Sequence, residues 1–85
     1  MIIENVSTLA LPEIKVIRFK RFIDERGYFS ETFRKEEMCN NKELDFLCGV
    51  QFLQCNESYS VAGVFRGLHF QWNPHMGKLI RCISG

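Results

Sequence analysis

No stretch of this 85-residue sequence approaches the roughly 18 apolar residues of a membrane-spanning helix, so no membrane partner is expected. Nor is there an excess of charge: eleven Lys and Arg face ten Asp and Glu, for a net charge of +1. Proteins that hold nucleic acid by neutralising phosphates usually show a basic excess. Nucleic acid is therefore not an expected partner, although a local cationic pocket remains open. The four cysteines, at 39, 48, 55 and 82, contain no C-x-x-C pair, the spacing of many zinc and redox sites. The opening "MIIENVSTLALP" lacks the basic stretch and unbroken apolar run of a secretory signal. The expectation is free thiols in a reducing compartment, the cytoplasm. There is no repeat and no low-complexity segment. Histidines are scarce too: His69 and His75 stand six apart, and Gln71 occupies the place of a second histidine on the His69 face. Amides are poor transition-metal ligands, so no metal site is expected. His75, beside Pro74, reads as a turn residue.

What is present suits one folded domain over 1–85. Hydrophobic residues make up 46% and charged residues 25%, a globular balance. A chain of this size buries only about 60–65% of its unfolded surface, so the core must be thin. Eight phenylalanines and short Val, Ile and Phe runs favour strands. "EIKVIRFKRF" (13–22) alternates with a slip in parity: Ile14 and Val16 share one face, Ile17 and Phe19 the other. That implies a strand buried on both faces, or a bulge. "DERGYFSETF" (24–33) opens with a turn at Asp24 to Gly27 and continues as strand. "RKEEMCNNKEL" (34–44) holds the one plausible short helix, with Met38 and Leu44 its sparse apolar positions. "VQFLQCNES" (50–58), "GVFRGLHFQW" (63–72) and "KLIRCI" (78–83) read as strands, with "NPHMG" (73–77) a turn. The sum is an all-β chain of the sandwich or barrel kind, with at most one short helix near 35–45.

Several polar residues fall among these strands. Gln54 and Asn56 share the parity of Val50 and Phe52, and amides on an apolar face need a bonding partner. Backbone capping would satisfy them; so would a ligand. Arg66 and His69 have opposite parity on a regular strand, unless Gly67 is bulged and turns both to one side. Otherwise Arg66 is exposed and His69 is a core histidine bonded to backbone. Lys78 lines up with Ile80 and Cys82, either snorkelling outward or facing an anion. Arg26 and Glu31 are ordinary surface charges when taken singly.

In order and near-family spacing, "DERGYFSETF", "FLQCNESYS", "GVFRGLHFQ" and "GKLIRCISG" resemble the dTDP-4-dehydrorhamnose 3,5-epimerase family, enzymes of nucleoside-diphospho-4-keto-6-deoxy sugars. The motifs cover most of residues 16–85. "RGLHFQ" preceded by Q-x-N-x-S is the specific part. The resemblance implies the N-terminal half of a cupin-type jelly-roll β-sandwich that needs no metal and no cofactor. It also implies a homodimer with exchanged N-terminal strands and a nucleotide-diphosphate sugar as substrate. It casts His69 as general base and Lys78 as a lysine beside the substrate carbonyl. Arg66, Gln54 and Asn56 become substrate contacts, with Cys55 contributing backbone between the two amides. Arg26 and Glu31 become contacts to the nucleotide end.

Elementary chemistry agrees with that assignment. A C–H beside a ketone is acidic only if the enolate is stabilised. A histidine of ordinary pKa, about 6.5, suits the base role, and a lysine supplies charge where the enolate oxygen develops. An arginine binds diphosphate through paired N–H donors. Two departures stand out. The family domain is about twice this length, so the carboxylate that orients the histidine and the tyrosine that returns the proton are expected beyond Gly85. The "HFQWNPHMGK" loop is one residue short between His69 and Lys78. The alternatives are a non-catalytic nucleotide-sugar-binding fragment and, with less support, a metal-dependent cupin enzyme.

Overall fold

The computed structural model describes residues 2–85. The chain divides into two units, one running through Cys55 and one covering Asn56–Gly85. Regular structure is predominantly strand: four strands, one short α-helix and one 3-10 helix among the described residues. None of these helices is long and apolar enough to cross a membrane.

In the first unit, β1 (Ile3–Thr8) and β2 (Lys15–Phe19) form an antiparallel hairpin. Its loop is closed by Leu9 N–H donating to the Ile14 carbonyl at 3.1 Å and Ile14 N–H donating to the Leu11 carbonyl at 3.0 Å. Pairing shifts between Ile3 and Asn5. On a regular strand Ile3 and Val6 would face opposite sides. The irregularity lets both pack on the same cluster, with Ile17 and Phe19 from β2. The opposite face of β2 is open: Ile14 and Val16 are 45% and 38% exposed. The parity slip read in 13–22 therefore marks neither a doubly buried strand nor a bulge on β2; the bulge is on β1.

The hairpin covers α1 (Lys35–Asn40) and the 3-10 helix Asp45–Gly49. Glu36 and Glu37 occupy the first turn of α1, where carboxylates oppose the positive helix end. Asn41 reverses the chain: its side-chain oxygen accepts from Glu43 N–H at 2.9 Å. Its carbonyl accepts from Leu44 N–H at 3.0 Å. Met38 and Leu44 thereby become the core, each only 1% exposed. Burial of such side chains stabilises by roughly 1.5–3 kcal/mol each. The expected short helix is present, and the 3-10 turn after it is an addition. The reversal also sets Cys39 beside Cys48, Cα atoms 4.8 Å apart, as a disulfide. The expectation of four free thiols is corrected for this pair. Spacing rules for metal or redox motifs do not register a pairing that a helix–turn–helix reversal creates. Cys55 and Cys82 are free and exposed.

A second hairpin joins β3 (Phe22–Asp24) to β4 (Gly27–Phe29), in register Phe22↔Phe29, Ile23↔Tyr28 and Asp24↔Gly27. The turn expected at Asp24 to Gly27 forms there. Gly27 adopts φ +138°, backbone that only glycine enters readily. The strand expected to continue to Phe33 ends at Phe29.

Within the second unit the local order is turns and side-chain contacts. Val64 N–H donates to the Val61 carbonyl at 3.3 Å across a turn at Gly63. The Trp72 and His75 rings meet edge to face at 5.1 Å, and His75 Nδ1 lies 3.3 Å from the Gln71 carbonyl. The bend of this segment lies at Asn73 and Pro74, just before His75. The strands expected over 50–58, 63–72 and 78–83 do not form: among the described residues no ladder pairs with them. A strand exists only as half of a hydrogen-bonded pair, and alternation in sequence does not supply the other half. Leu68, Phe70 and Ile80 are 98%, 91% and 82% exposed.

Two outcomes follow. Closing the loop between Cys39 and Cys48, nine residues apart, removes unfolded-chain entropy worth on the order of 2–3 kcal/mol. Reduction, or replacing both cysteines by serine, is expected to lower unfolding stability by that amount. Superimposable denaturant melts with and without reductant would refute it. With so much apolar surface open, the 85-residue polypeptide on its own is expected to self-associate. Sedimentation velocity giving a monodisperse monomer would contradict this.

Candidate functional site

The charged candidates of the first unit are held by their near neighbours. Asp24 ends β3, and its Oδ1 accepts from Arg26 N–H at 2.8 Å, fixing the turn. Its Oδ2 accepts from Arg26 Nε at 3.2 Å and Nη2 at 2.6 Å. These bonds hold the Asp24 carboxyl below its ordinary range, the Arg26 side chain contributing most. Arg26 itself projects into solvent, its side chain 84% exposed.

Glu31 lies between β4 and α1. Arg34, three residues on, grips it bidentately, Nε on Oε1 and Nη2 on Oε2 at 2.8 Å. The guanidinium bond is the leading reason that the Glu31 carboxyl falls from 4.5 to about 2, and the same pair raises Arg34 above its ordinary value. On the second hairpin, the Arg21 guanidinium lies 4.4 Å from the Tyr28 ring centre and Lys20 Nζ 5.2 Å from that of Phe22. Asp24 was read in the sequence only as a turn residue, and Arg34 was not singled out. The signal for each was a local one, D-x-R before glycine and E-x-x-R before a helix.

Gln54 and Cys55 close the first unit, and both are exposed. In the second unit Asn56, Arg66, His69 and Lys78 are all exposed. Arg66 Nη2 donates to the Tyr59 carbonyl at 3.0 Å, which ties it to the segment just after Asn56. Among the described residues, His69 and Lys78 share no hydrogen bond. The alternative of a core His69 is corrected by its exposure.

An apolar hollow lies elsewhere in the first unit. It measures about 210 Å³ and is lined by Phe33, Lys35, Met38, Leu47, Val50, Gln51 and Phe52. Phe33 and Phe52 meet edge to face there at 5.7 Å. That volume is below the roughly 300–1,000 Å³ of small-molecule sites, and no candidate site residue lines it. Among the described residues, no three His, Cys, Asp or Glu side chains converge as metal ligands would.

Comparison with known proteins adds what the geometry leaves open. A family model described as dTDP-4-dehydrorhamnose 3,5-epimerase matches residues 8–85. The chain is similar to curated proteins that bear the same name. The Shigella flexneri protein is 42% identical over 84 residues, covering 95% of this chain and 43% of its own. That of Sinorhizobium fredii is 45% identical, covering 92% and 38%. That of Methanothermobacter thermautotrophicus is 49% identical, covering 82% and 35%. The chain therefore spans about two fifths of the length of these relatives. No solved structure matches it.

The Glu31–Arg34 pair has a measurable consequence. A carboxyl depressed in the folded state stabilises fully above its ordinary pKa of 4.5, and the contribution is lost as pH falls through about 2. Carboxyl-detected NMR is expected to place the Glu31 midpoint near 2 and to return it toward 4.5 in Arg34→Ala. An unmoved midpoint in the variant would refute the pairing.

Proposed function

Because the chain belongs to the dTDP-4-dehydrorhamnose 3,5-epimerase family, we propose that the protein epimerises a nucleotide-linked 4-keto-6-deoxy sugar at C3, C5 or both. One observation carries this reading: the family match runs through the whole set of candidate residues, from Arg26 to Lys78. In the proposed site, His69 removes the proton from the carbon beside the C4 ketone. The C–H electron pair moves into the ring as the carbonyl becomes an enolate. Lys78 stabilises the charge on that oxygen. Return of a proton to the opposite ring face inverts the centre and restores the ketone. No electrons are gained or lost, so the chemistry calls for no redox cofactor.

The remaining groups bind. Arg66 takes the diphosphate, Gln54 and Asn56 hold sugar or base, and the Cys55 backbone sits between them. Arg26 and Glu31 meet the nucleotide end. The scaffold proposed is the first half of a cupin-type jelly roll in a cytoplasmic homodimer that exchanges N-terminal strands. In that frame the open faces over 50–58, 63–72 and 78–83 acquire strand partners, and His69 and Lys78 come to face one cavity. The group that orients His69 and the acid that returns the proton are assigned to the further length that the relatives possess.

A second reading is a nucleotide-sugar binder without turnover, in which Arg26, Arg66, Gln54 and Asn56 bind the ligand and no proton is moved. Heavy-water exchange separates the two. With a nucleotide-linked 4-keto-6-deoxyglucose, the C3 and C5 proton signals are expected to disappear, and to persist in His69→Ala. A base at its working pKa is worth about 10²–10⁴-fold, so the variant should slow exchange by that order. Line broadening without exchange in the unaltered protein would leave a binder. Loss at C3 alone would define a mono-epimerase.

A further inference from the structure

We propose that Asp24 is a positioning residue for Arg26: it holds the guanidinium in the direction from which it meets the nucleotide end of the substrate. This rests on the functional reading above and deepens it. Three hydrogen bonds link two residues that are two apart. One fixes the backbone: Asp24 Oδ1 accepts from Arg26 N–H at 2.8 Å. Two fix the side chain: Oδ2 accepts from Nε at 3.2 Å and Nη2 at 2.6 Å. The same carboxylate therefore couples the geometry of the turn to the heading of the guanidinium.

The hairpin supports this arrangement from below. Asp24 is the last paired residue of β3, opposite Gly27. The φ of +138° at Gly27 lets the chain re-enter β4 directly after Arg26. Only Glu25 and Arg26 lie between the paired positions, so the turn has little slack in which Arg26 could swing. A guanidinium has five N–H donors. Asp24 engages Nε–H and one N–H of Nη2, leaving three for a ligand. Arg26 is 84% exposed and Asp24 only 40%, so the free donors face outward while the anchor sits closer to the hairpin.

The carboxylate has two opposing effects on an anionic substrate. It lowers the net positive charge at the turn, which weakens attraction at a distance. It also restricts a long, rotamer-rich side chain before binding, which removes part of the ordering cost of association. The direction of the KM change in Asp24→Asn decides which effect prevails.

The test uses steady-state kinetics with the nucleotide-linked 4-keto-6-deoxy sugar, and NMR of the Arg26 Nε–H without substrate. Removing one preordered side chain is expected to raise KM about two- to tenfold with kcat nearly unchanged. Asp24→Ala should show this, and the double variant with Arg26→Ala should be no worse than Arg26→Ala alone. Asp24→Asn keeps an oxygen for the backbone cap and loses the charged grip on the side chain. If Asp24 positions Arg26, Asp24→Asn raises KM as Asp24→Ala does. If it only shapes the turn, Asp24→Asn behaves as the unaltered protein and the proposal is overturned. The Nε–H signal decides independently of turnover. Slow exchange with water, lost in Asp24→Asn, supports the grip; equal exchange in both overturns it. A protein that shows the grip but no epimerisation, and binds thymidine diphosphate equally with and without Arg26, would overturn the functional reading and with it the substrate role given to Arg26.

Discussion

Burial of Met38 and Leu44 under the β1–β2 hairpin is the contact on which the ordered part of this chain depends. Each arrives by a different route. Met38 comes from the one helix, and Leu44 from the reversal that Asn41 makes through its side chain and carbonyl. Without that reversal Leu44 would be carried away from the hairpin, and Cys39 would not meet Cys48. Two buried side chains form a small core. A covalent link beside them is the kind of support that small cores use.

The extent to which the sequence was readable follows from the range of each interaction. Turns were legible because their cause is local. Asp24 to Gly27 was marked by an aspartate and a glycine, and the helix by a polar run with Met38 and Leu44 at its apolar positions. The strands over 50–58, 63–72 and 78–83 were read from alternation, which reports a backbone's readiness to pair and nothing about a partner. The parity slip in 13–22 was visible, but its remedy, an irregularity in a different strand at Glu4, was not. The disulfide was missed for a similar reason, since cysteines nine residues apart meet only after the chain has folded back. Of the candidate site, residue types and order were legible. The pairing of Asp24 with Arg26 and of Arg34 with Glu31 became visible only through their hydrogen bonds, because a carboxylate near an arginine is commonplace on any surface.

The charged groups near the second hairpin share one pattern. Arg26 is paired with Asp24, Arg34 with Glu31, and Arg21 lies over Tyr28. A net charge of +1 therefore conceals guanidinium groups that are individually committed in direction. For a ligand carrying a diphosphate, oriented donors matter more than an abundance of mobile positive charge, because each donor left free to rotate must be stilled on binding.

Because Glu4 is the extra residue of the pairing irregularity, the first hairpin has room to change length at both of its ends. At the loop between Leu9 and Ile14, gain or loss of a residue alters only an exposed connection. At Glu4, loss of one residue would restore regular pairing in the same register and leave Ile3 two positions before Val6, both still facing Met38 and Leu44. Lineages of this chain should thus vary freely in length at one end of the hairpin. At the other they should bear the loss of the exposed Glu4 as well, since the strand then alternates regularly with Ile3 and Val6 on one face.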